Sequence, residues 1–446
     1  MVITYSQIYP GPIWTALLVL LFLYTILRGR PEWALGMFFA MSGWGRNLWV
    51  GPMLYLYALL ATAYAAAFVD LQVRLRRGEQ VRFFPQHDRS ILVLLGCWWF
   101  WMLLLIQLFM PDNGPALRRN LVLIIIAGIP ALFLFGQDPR RVRGFALAYI
   151  GSAIAGGWIA LTAYGIPITA LLTDPSLGSY GLSNLGIPNY HAIAWTFGCA
   201  LIMVMALYLQ ARSLFSLAGY MLLAVLCVHF LMLSLSRQSM AASIICLMLF
   251  AIWALFSRTT PKLRVLTLLV GVIGMVVILY QVSPSLVVRQ NESGLLESFD
   301  LVGERSQYWL YGWAVFVEAP LTGSGMSTTY THNLALGTLA EQGLVGGFFL
   351  VAYLAFVLRQ GQAILYGHGD PQRAPWQVAF FLIVLFFLIH SMASGTATNG
   401  RHLYWAGLLL WCQSVLVQPA PVPVLPVPTR LIARPASFVA AHQAAE

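Results

Sequence analysis

Charged residues are scarce in this chain. Only 9% of its 446 residues are charged, whereas 60% are hydrophobic. A soluble domain usually carries about a quarter charged residues, so this composition excludes a water-facing surface over most of the chain. The bilayer must therefore be the solvent for most of it. The sequence predicts an all-α polytopic membrane protein, which makes contact with membrane lipids along most of its length.

Lysine is almost absent, and the cysteines form no close pairs. Lys262 is the only lysine, so the formal net charge of +10 comes almost wholly from arginine. In a soluble protein such an excess would suggest nucleic acid. Here the arginines lie in short loops between apolar runs, which indicates orientation in a membrane and no nucleic-acid partner. The five cysteines lie inside apolar runs, which predicts neither a disulfide framework nor a cysteine metal site.

Apolar runs long enough to cross a bilayer recur along the chain. A spanning helix needs about 20 apolar residues, with ~17 as a practical floor. The predicted spans are 13–27, 48–69, 90–111, 121–136, 144–164, 191–209, 214–234, 239–256, 262–280, 332–357, 376–391 and 402–417. The segment 31–45 is interrupted by Gly36 and Gly43, so it is either a re-entrant or interfacial helix or a further span. We therefore expect about twelve transmembrane helices, or thirteen if 31–45 crosses.

Arginine-rich loops set the predicted orientation. Arginines cluster in the loops 70–90, 137–143 and 257–264. Alternation of the spans puts these loops on one side, which the positive-inside rule assigns to the cytoplasm. If 31–45 does not span, the N-terminus is cytoplasmic, and Arg28 and Arg30 then lie outside, against that rule.

The longest loop, 281–331, is predicted on the opposite, periplasmic side. Loops of this length are usually functional or disordered. Between Arg305 and Pro320, Trp309 and Trp313 recur at helical spacing. This pattern is typical of an amphipathic helix at the membrane interface. The loop is therefore expected to carry an amphipathic helix, in which Trp309 is structural.

The rest of the predicted organisation is simple. We expect one transmembrane domain over 1–418, with the loop 281–331 inside it carrying part of the active site. The segment 419–435 is rich in proline, valine and alanine and has no helical period, so 419–446 is expected to be an irregular cytoplasmic tail.

Two arginines on the outer side are candidates for binding a phosphate group. Arg237 lies between two apolar runs in Ser234-Leu-Ser-Arg-Gln-Ser239, and an arginine near hydrocarbon tends to mark function. The alternative is an interfacial arginine that reaches lipid phosphate. Arg305 opens the amphipathic helix, where a solvated face is the alternative. A guanidinium is a planar fork of donors that fits phosphate oxygens, so the two arginines suit a diphosphate.

His332 is the candidate general base. It lies where the polar loop becomes an apolar helix, and the sequence places it in the first helical turn. The positive end of a helix dipole favours a neutral imidazole, which can accept a proton. The alternative is a helix-capping or structural histidine. Asn333, Asn189 and His191 are secondary candidates.

The acidic residues predict no metal site. Glu341 lies nine residues beyond His332, about half a turn out of phase with it, and is expected to bond structurally to another helix. The outer side has no Asp-x-Asp pair and no cluster of histidine and carboxylate at ligand spacing. Because a divalent metal needs several close oxygen ligands, we expect metal-independent chemistry without a cofactor.

Four elements in order resemble the shared region of O-antigen ligases and O-antigen polymerases. They are Arg305-x3-Trp309, Glu318-Ala-Pro-Leu-Thr-Gly-Ser-Gly325, His332-Asn333 and Leu339-Ala-Glu-Gln-Gly-Leu-Val-Gly346. Ser236-Arg237 matches the other basic element of the family. The resemblance covers roughly residues 230–350, and the many predicted spans agree with it over the whole chain.

The resemblance implies a glycosyltransferase of the bacterial inner membrane with a GT-C-like fold, active on the periplasmic face. The donor would be a glycan on undecaprenyl diphosphate. A ligase passes that glycan to lipid A–core, and a polymerase passes it to another lipid-linked repeat. The family's catalytic histidine matches His332, and its diphosphate-binding arginines match Arg237 and Arg305.

A transporter of lipid-linked sugars is a second class that fits part of the pattern. Intramembrane arginines and a polar outer cavity also suit a flippase or exporter. Transporters often show internal repeats, and none is evident in this sequence. We predict an O-antigen ligase, with a polymerase that uses the same donor class as the alternative and a transporter after it.

Overall fold

The structure is a computed structural model that describes residues 12–44, 52–78, 90–109, 122, 139–163, 190–234, 236–257, 260–282, 300–326, 331–366, 374–394, 403 and 406–410. All of them belong to one compact unit, Met1–Leu416. The second unit, Val417–Glu446, lies outside the described residues, so the predicted tail stays a prediction. The described part of the chain is helical and contains no β-strand, which confirms the all-α prediction.

Twelve helices are described, and ten of them overlap predicted spans, while α2 overlaps the segment 31–45 and α10 lies in the predicted loop 281–331. They are α1 Pro12–Leu27, α2 Pro31–Trp44, α3 Pro52–Arg76, α4 Ser90–Phe109, α5 Pro139–Ala163, α6 Tyr190–Leu209, α7 Leu214–Leu233, α8 Arg237–Phe256, α9 Lys262–Val282, α10 Asp300–Glu318, α11 Leu334–Tyr366 and α12 Ala374–Ser394. The predicted amphipathic helix is α10. Most of the predicted spans 121–136 and 402–417 lies outside the described residues.

Six of these helices are long and apolar enough to cross a membrane. They are α3, α4, α7, α8, α11 and α12. Parts of α1 and α6 are apolar but shorter. The structure thus supports a multi-pass membrane protein, and the count of twelve or thirteen spans stays a prediction.

The centre of the bundle is built by α6 and α12. Nearly every residue of α6 from Ile193 to Leu209 is buried, as expected of a helix that is apolar on all faces. The helix packs against α2, α5, α7, α8 and α12. Gly198 allows the closest approach, since a Cβ there would lie 2.6 Å from the Phe386 ring of α12. Small residues of this kind let membrane helices pack closely.

One end of the bundle collects basic side chains. Asp70 accepts hydrogen bonds from Arg141 at 2.6 Å, and it pairs with Arg74 at 3.1 Å. The backbone of Asp70 also packs against Gly29, immediately before Arg30. Arg30 pairs with the buried Glu32 at 3.2 Å. The arginines of the α1–α2 turn therefore share an end with those of α3 and α5.

This arrangement bears on the doubtful segment 31–45. Both α1 and α3 run toward the basic end. The helix that lies between them in the sequence, α2, runs away from it. Arg28 and Arg30 then lie beside the other arginines, so the conflict with the positive-inside rule disappears.

The sequence-predicted site lies at the opposite end. Trp376, at the start of α12, donates to Gln210 at the end of α6 (3.0 Å), so these two helices run antiparallel. The last turns of α12 lie beside the first turn of α8 and the segment that precedes α11, through bonds from Ser239 to His390 and from Asn333 to Met392. Arg237, the first residue of α8, and His332, two residues before α11, therefore lie at the end of the bundle away from the basic cluster.

Candidate functional site

His332 lies in the turn between α10 and α11, beside an aromatic ring of α10. Its ring meets Tyr308 of α10 edge to face, with centroids 5.1 Å apart. Its backbone adopts the left-handed region with a φ of 53°, which is uncommon for a residue other than glycine. The helix begins at Leu334, so His332 precedes α11 instead of lying in its first turn.

Burial and a positive charge both lower the pKa of His332. Desolvation lowers the pKa of His332 below its ordinary value of 6.5, and the positive charge of Arg305 lowers it further. Both effects disfavour the imidazolium. The neutral imidazole expected from the sequence is thus favoured, although the causes are burial and Arg305 and not a position inside the helix.

Asn333 is the residue that caps α11. Its Oδ1 accepts a hydrogen bond from the Leu336 backbone N–H at 3.1 Å, which is the bond of an N-cap. Its Nδ2 donates to the Met392 carbonyl at 3.3 Å. The buried Thr331 hydroxyl donates to the Asn333 carbonyl at 2.9 Å. Asn333 therefore has a capping role, and the proposal that His332 itself caps the helix loses its main support.

The turn that follows α10 is bonded to a break in α11. Gly343 has non-helical dihedral angles there, with a φ of 64° and a ψ of −162°. The Ser324 N–H donates to the Ala340 carbonyl at 2.9 Å and the Gly325 N–H donates to Glu341 at 3.1 Å, while Leu344 donates to the Pro320 carbonyl at 2.8 Å. The turn thus satisfies backbone groups that the broken helix releases, as irregular backbone in apolar surroundings requires.

Glycine is required at this junction on two grounds. Gly343 and Gly323 both have a positive φ, which residues with a side chain rarely adopt. A Cβ on Gly343 would lie 2.3 Å from the Leu321 backbone, and a Cβ on Gly323 would lie 2.4 Å from that of Glu341. Two sequence elements that the resemblance treated separately, 318–325 and 339–346, therefore form one interlocked structure.

Side chains of α4 support the same break. Trp98 donates its indole N–H to the Gln342 side chain at 2.7 Å, and Trp101 donates to the Gln342 carbonyl at 3.3 Å. The Glu341 side chain is fully buried, and its carbonyl bonds to the turn after α10. Its structural role stays a prediction.

The remaining predicted residues are only partly described. Arg237 is the first residue of α8, but its side chain lies outside the described residues, as do the His191 side chain and all of Asn189. Trp309 lies half-buried on α10. Among the side chains that the structure describes, no group of three or more His, Cys, Asp or Glu could hold a metal ion.

Sequence reasoning missed His390. This residue of α12 is 3% exposed, and it bonds to Trp195 of α6 and to Ser239 of α8. A signal was present, since a histidine within an apolar run is costly unless it has partners. The hydroxyls of Ser236 and Ser239, which flank Arg237, supply one side of that network.

Comparison with known proteins gives one informative match. No curated protein matches the chain. Residues 222–351 match the family model described as O-Antigen ligase, and this region runs from α7 into α11 and contains Arg237, Arg305 and His332. Such a family indicates a function of the O-antigen ligase or polymerase type, and with the six apolar helices it indicates a multi-pass membrane protein. Residues 222–351 of this chain are therefore similar to the O-antigen ligase family.

Proposed function

We propose that this protein is an O-antigen ligase, which transfers a glycan from undecaprenyl diphosphate to lipid A–core during lipopolysaccharide synthesis. The observation that carries the proposal is the neighbourhood of His332. Within the matched region, the His332 ring meets Tyr308 of α10, and burial and the charge of Arg305 on the same helix both lower the pKa of His332. A base beside a cation is what a displacement on a glycosyl diphosphate needs.

The reaction is a direct displacement. His332 takes the proton from the acceptor hydroxyl, and the oxygen attacks the anomeric carbon of the donor. The bond from that carbon to the diphosphate oxygen breaks, and its electron pair leaves with undecaprenyl diphosphate. Arg237 and Arg305 stabilise the charge of the leaving diphosphate. A single displacement inverts the anomeric centre, and neither a metal nor a cofactor takes part.

The proposed location is the inner membrane, with the site on the periplasmic side. Single cysteines at Gln307 and Arg77, both exposed, would lie at opposite ends of the bundle. In a variant whose five native cysteines are replaced by alanine, we expect a membrane-impermeant thiol reagent added to the periplasm to label Gln307→Cys and spare Arg77→Cys, because arginine-rich loops stay in the cytoplasm. The opposite labelling pattern would invert the topology and remove the site from the periplasm.

The pH dependence of kcat/KM should report the Arg305–His332 pair. A base works in its neutral form, so activity should fall as the pH drops through the pKa of His332, below 6.5. Arg305→Gln removes a charge that lowers this pKa, while desolvation remains. The acid limb should therefore move to higher pH and still lie below 6.5.

The exposed Arg77→Gln at the other end is the matched control, and its acid limb should coincide with that of wild type. An acid limb unchanged in Arg305→Gln would mean that another group controls it.

Ligase and polymerase functions separate in the lipopolysaccharide of a strain that lacks this protein. Loss of a ligase should leave undecaprenyl-linked polymer beside bare core, and the plasmid-borne gene should restore polymer on the core. Core that carries a single repeat would instead show a polymerase, which uses the same donor class.

A further inference from the structure

A buried chain of hydrogen bonds links α6, α12 and α8. The Trp195 indole N–H donates to His390 Nε2 at 2.6 Å, and His390 Nδ1 lies 3.2 Å from the Ser239 hydroxyl. Ser236 donates its own hydroxyl to Ser239 at 3.1 Å. Ser236, Ser239 and His390 are 2%, 0% and 3% exposed. The bonds from Ser239 to Ser236 and to His390 are therefore buried, and the Trp195 bond is partly buried.

The direction of these bonds fixes the state of His390. An indole nitrogen can only donate, so Nε2 accepts and carries no proton. In the neutral ring the proton then lies on Nδ1, which donates to the Ser239 hydroxyl. His390 thus presents a donor to α8 and an acceptor to α6, and an apolar side chain in its place would remove both of these hydrogen bonds.

The serines that flank Arg237 serve this network and not the helix cap. Ser236 is the N-cap of α8, and a serine there usually accepts a backbone N–H from the first turn. Here its side chain makes no capping bond and donates to Ser239 instead. The first turn of α8 is therefore fixed to the bundle through Ser239 and His390.

The same end of α12 also holds the segment that carries His332. The Met392 carbonyl, two residues beyond His390, accepts the bond from Asn333 Nδ2 at 3.3 Å. Asn333 caps α11 and follows His332 directly. One helical turn of α12 is thus bonded to the elements that begin with Arg237 and with His332–Asn333.

We propose that His390 is a positioning residue for the donor site, which holds the first turn of α8, and with it Arg237, in register with the His332 turn. The proposal rests on the proposed function in that Arg237 binds the donor diphosphate. His390 is buried and acts through Ser239, so it should influence donor binding without touching substrate.

Two substitutions at position 390 separate positioning from mere stability. The asparagine amide extends about as far as Nδ1, so His390→Asn keeps a donor for Ser239 and loses the Trp195 bond. Glutamine reaches about as far as Nε2, so His390→Gln keeps an acceptor for Trp195 and loses the Ser239 bond. Each variant loses one hydrogen bond of this network and should lower the melting temperature similarly.

Donor binding should distinguish them. With farnesyl diphosphate as the probe and purified protein in detergent, we expect the Kd to rise about tenfold in His390→Gln and in Ser239→Ala, as for loss of one buried hydrogen bond, and to stay within about threefold in His390→Asn. Ser243→Ala is the matched control, because Ser243 is a buried serine one turn further along α8 whose hydroxyl donates to the Ser239 carbonyl. Its Kd should equal that of wild type.

A double-mutant comparison tests the route through Arg237. Ser239→Ala should change the Kd by less than about twofold in an Arg237→Ala background, because residues that act as a unit are not additive. The positioning role would be overturned if Ser239→Ala raised the Kd tenfold both in wild type and in Arg237→Ala. It would also be overturned if the Kd rose in proportion to the loss of melting temperature in every variant. If Arg237→Ala binds the probe with the same Kd as wild type, the proposed donor site is wrong. That result differs from the results that would overturn the positioning role of His390.

Discussion

Replacing His332 with glutamine should lower kcat by about 10²–10⁴-fold, the usual contribution of a general base. Glutamine keeps a hydrogen-bonding side chain beside Tyr308 but cannot accept a proton near neutral pH. His332→Ala should lose activity to the same extent. The assay is single-turnover transfer from lipid-linked glycan to acceptor by purified protein, with saturating substrates.

Donor binding is the control for this experiment. The Kd for farnesyl diphosphate should change little in His332→Gln, since the arginines carry that interaction, and the melting temperature should confirm folding. A glutamine variant with nearly wild-type turnover would show that His332 only orients the acceptor, and reactivity would then come from the leaving diphosphate.

Replacing Arg237 with lysine should cost almost as much as replacing it with alanine. Lysine keeps the charge but loses the planar pair of donors that matches two phosphate oxygens. Removing one donor to a developing anion costs about 10²–10³ in kcat, so we expect losses of that order in Arg237→Lys at normal expression. The same reasoning applies to Arg305→Lys. The charge of Arg305 also lowers the pKa of His332.

The exposed Arg77→Lys is the matched substitution at the other end of the bundle, and its activity should equal that of wild type. A fully active Arg237→Ala would return this residue to an interfacial role, in which it only reaches lipid phosphate.

The helices were predictable because apolar runs of membrane length report burial in lipid directly. The runs that predicted α4 and α7 differ from the observed helices by two residues or fewer at either end. The segment 31–45 could not be settled from its own residues. Its orientation emerges only from partners distant in sequence, such as Asp70 beside Gly29 and Arg141 near Glu32.

The residue types of the site could be predicted from the sequence, but most of the interactions between these residues could not. Arg305 and His332 were placed on one side by the alternation of spans, but only the folded chain shows that Arg305 lowers the pKa of His332. The break at Gly343 lies inside a continuous apolar run, where hydrophobic periodicity cannot reveal it. His390 was missed for a related reason, because its partners Trp195 and Ser239 come from two other helices.

Glycosyl transfer itself is tested most directly by purified protein in detergent with lipid-linked glycan and lipid A–core. The proposed mechanism predicts that glycan appears on the core and that undecaprenyl diphosphate is released in equal amount, with no sealed membrane present. A transporter needs two compartments and would make no product under these conditions. Absence of product from folded protein that still binds the donor would contradict the assignment as a glycosyltransferase.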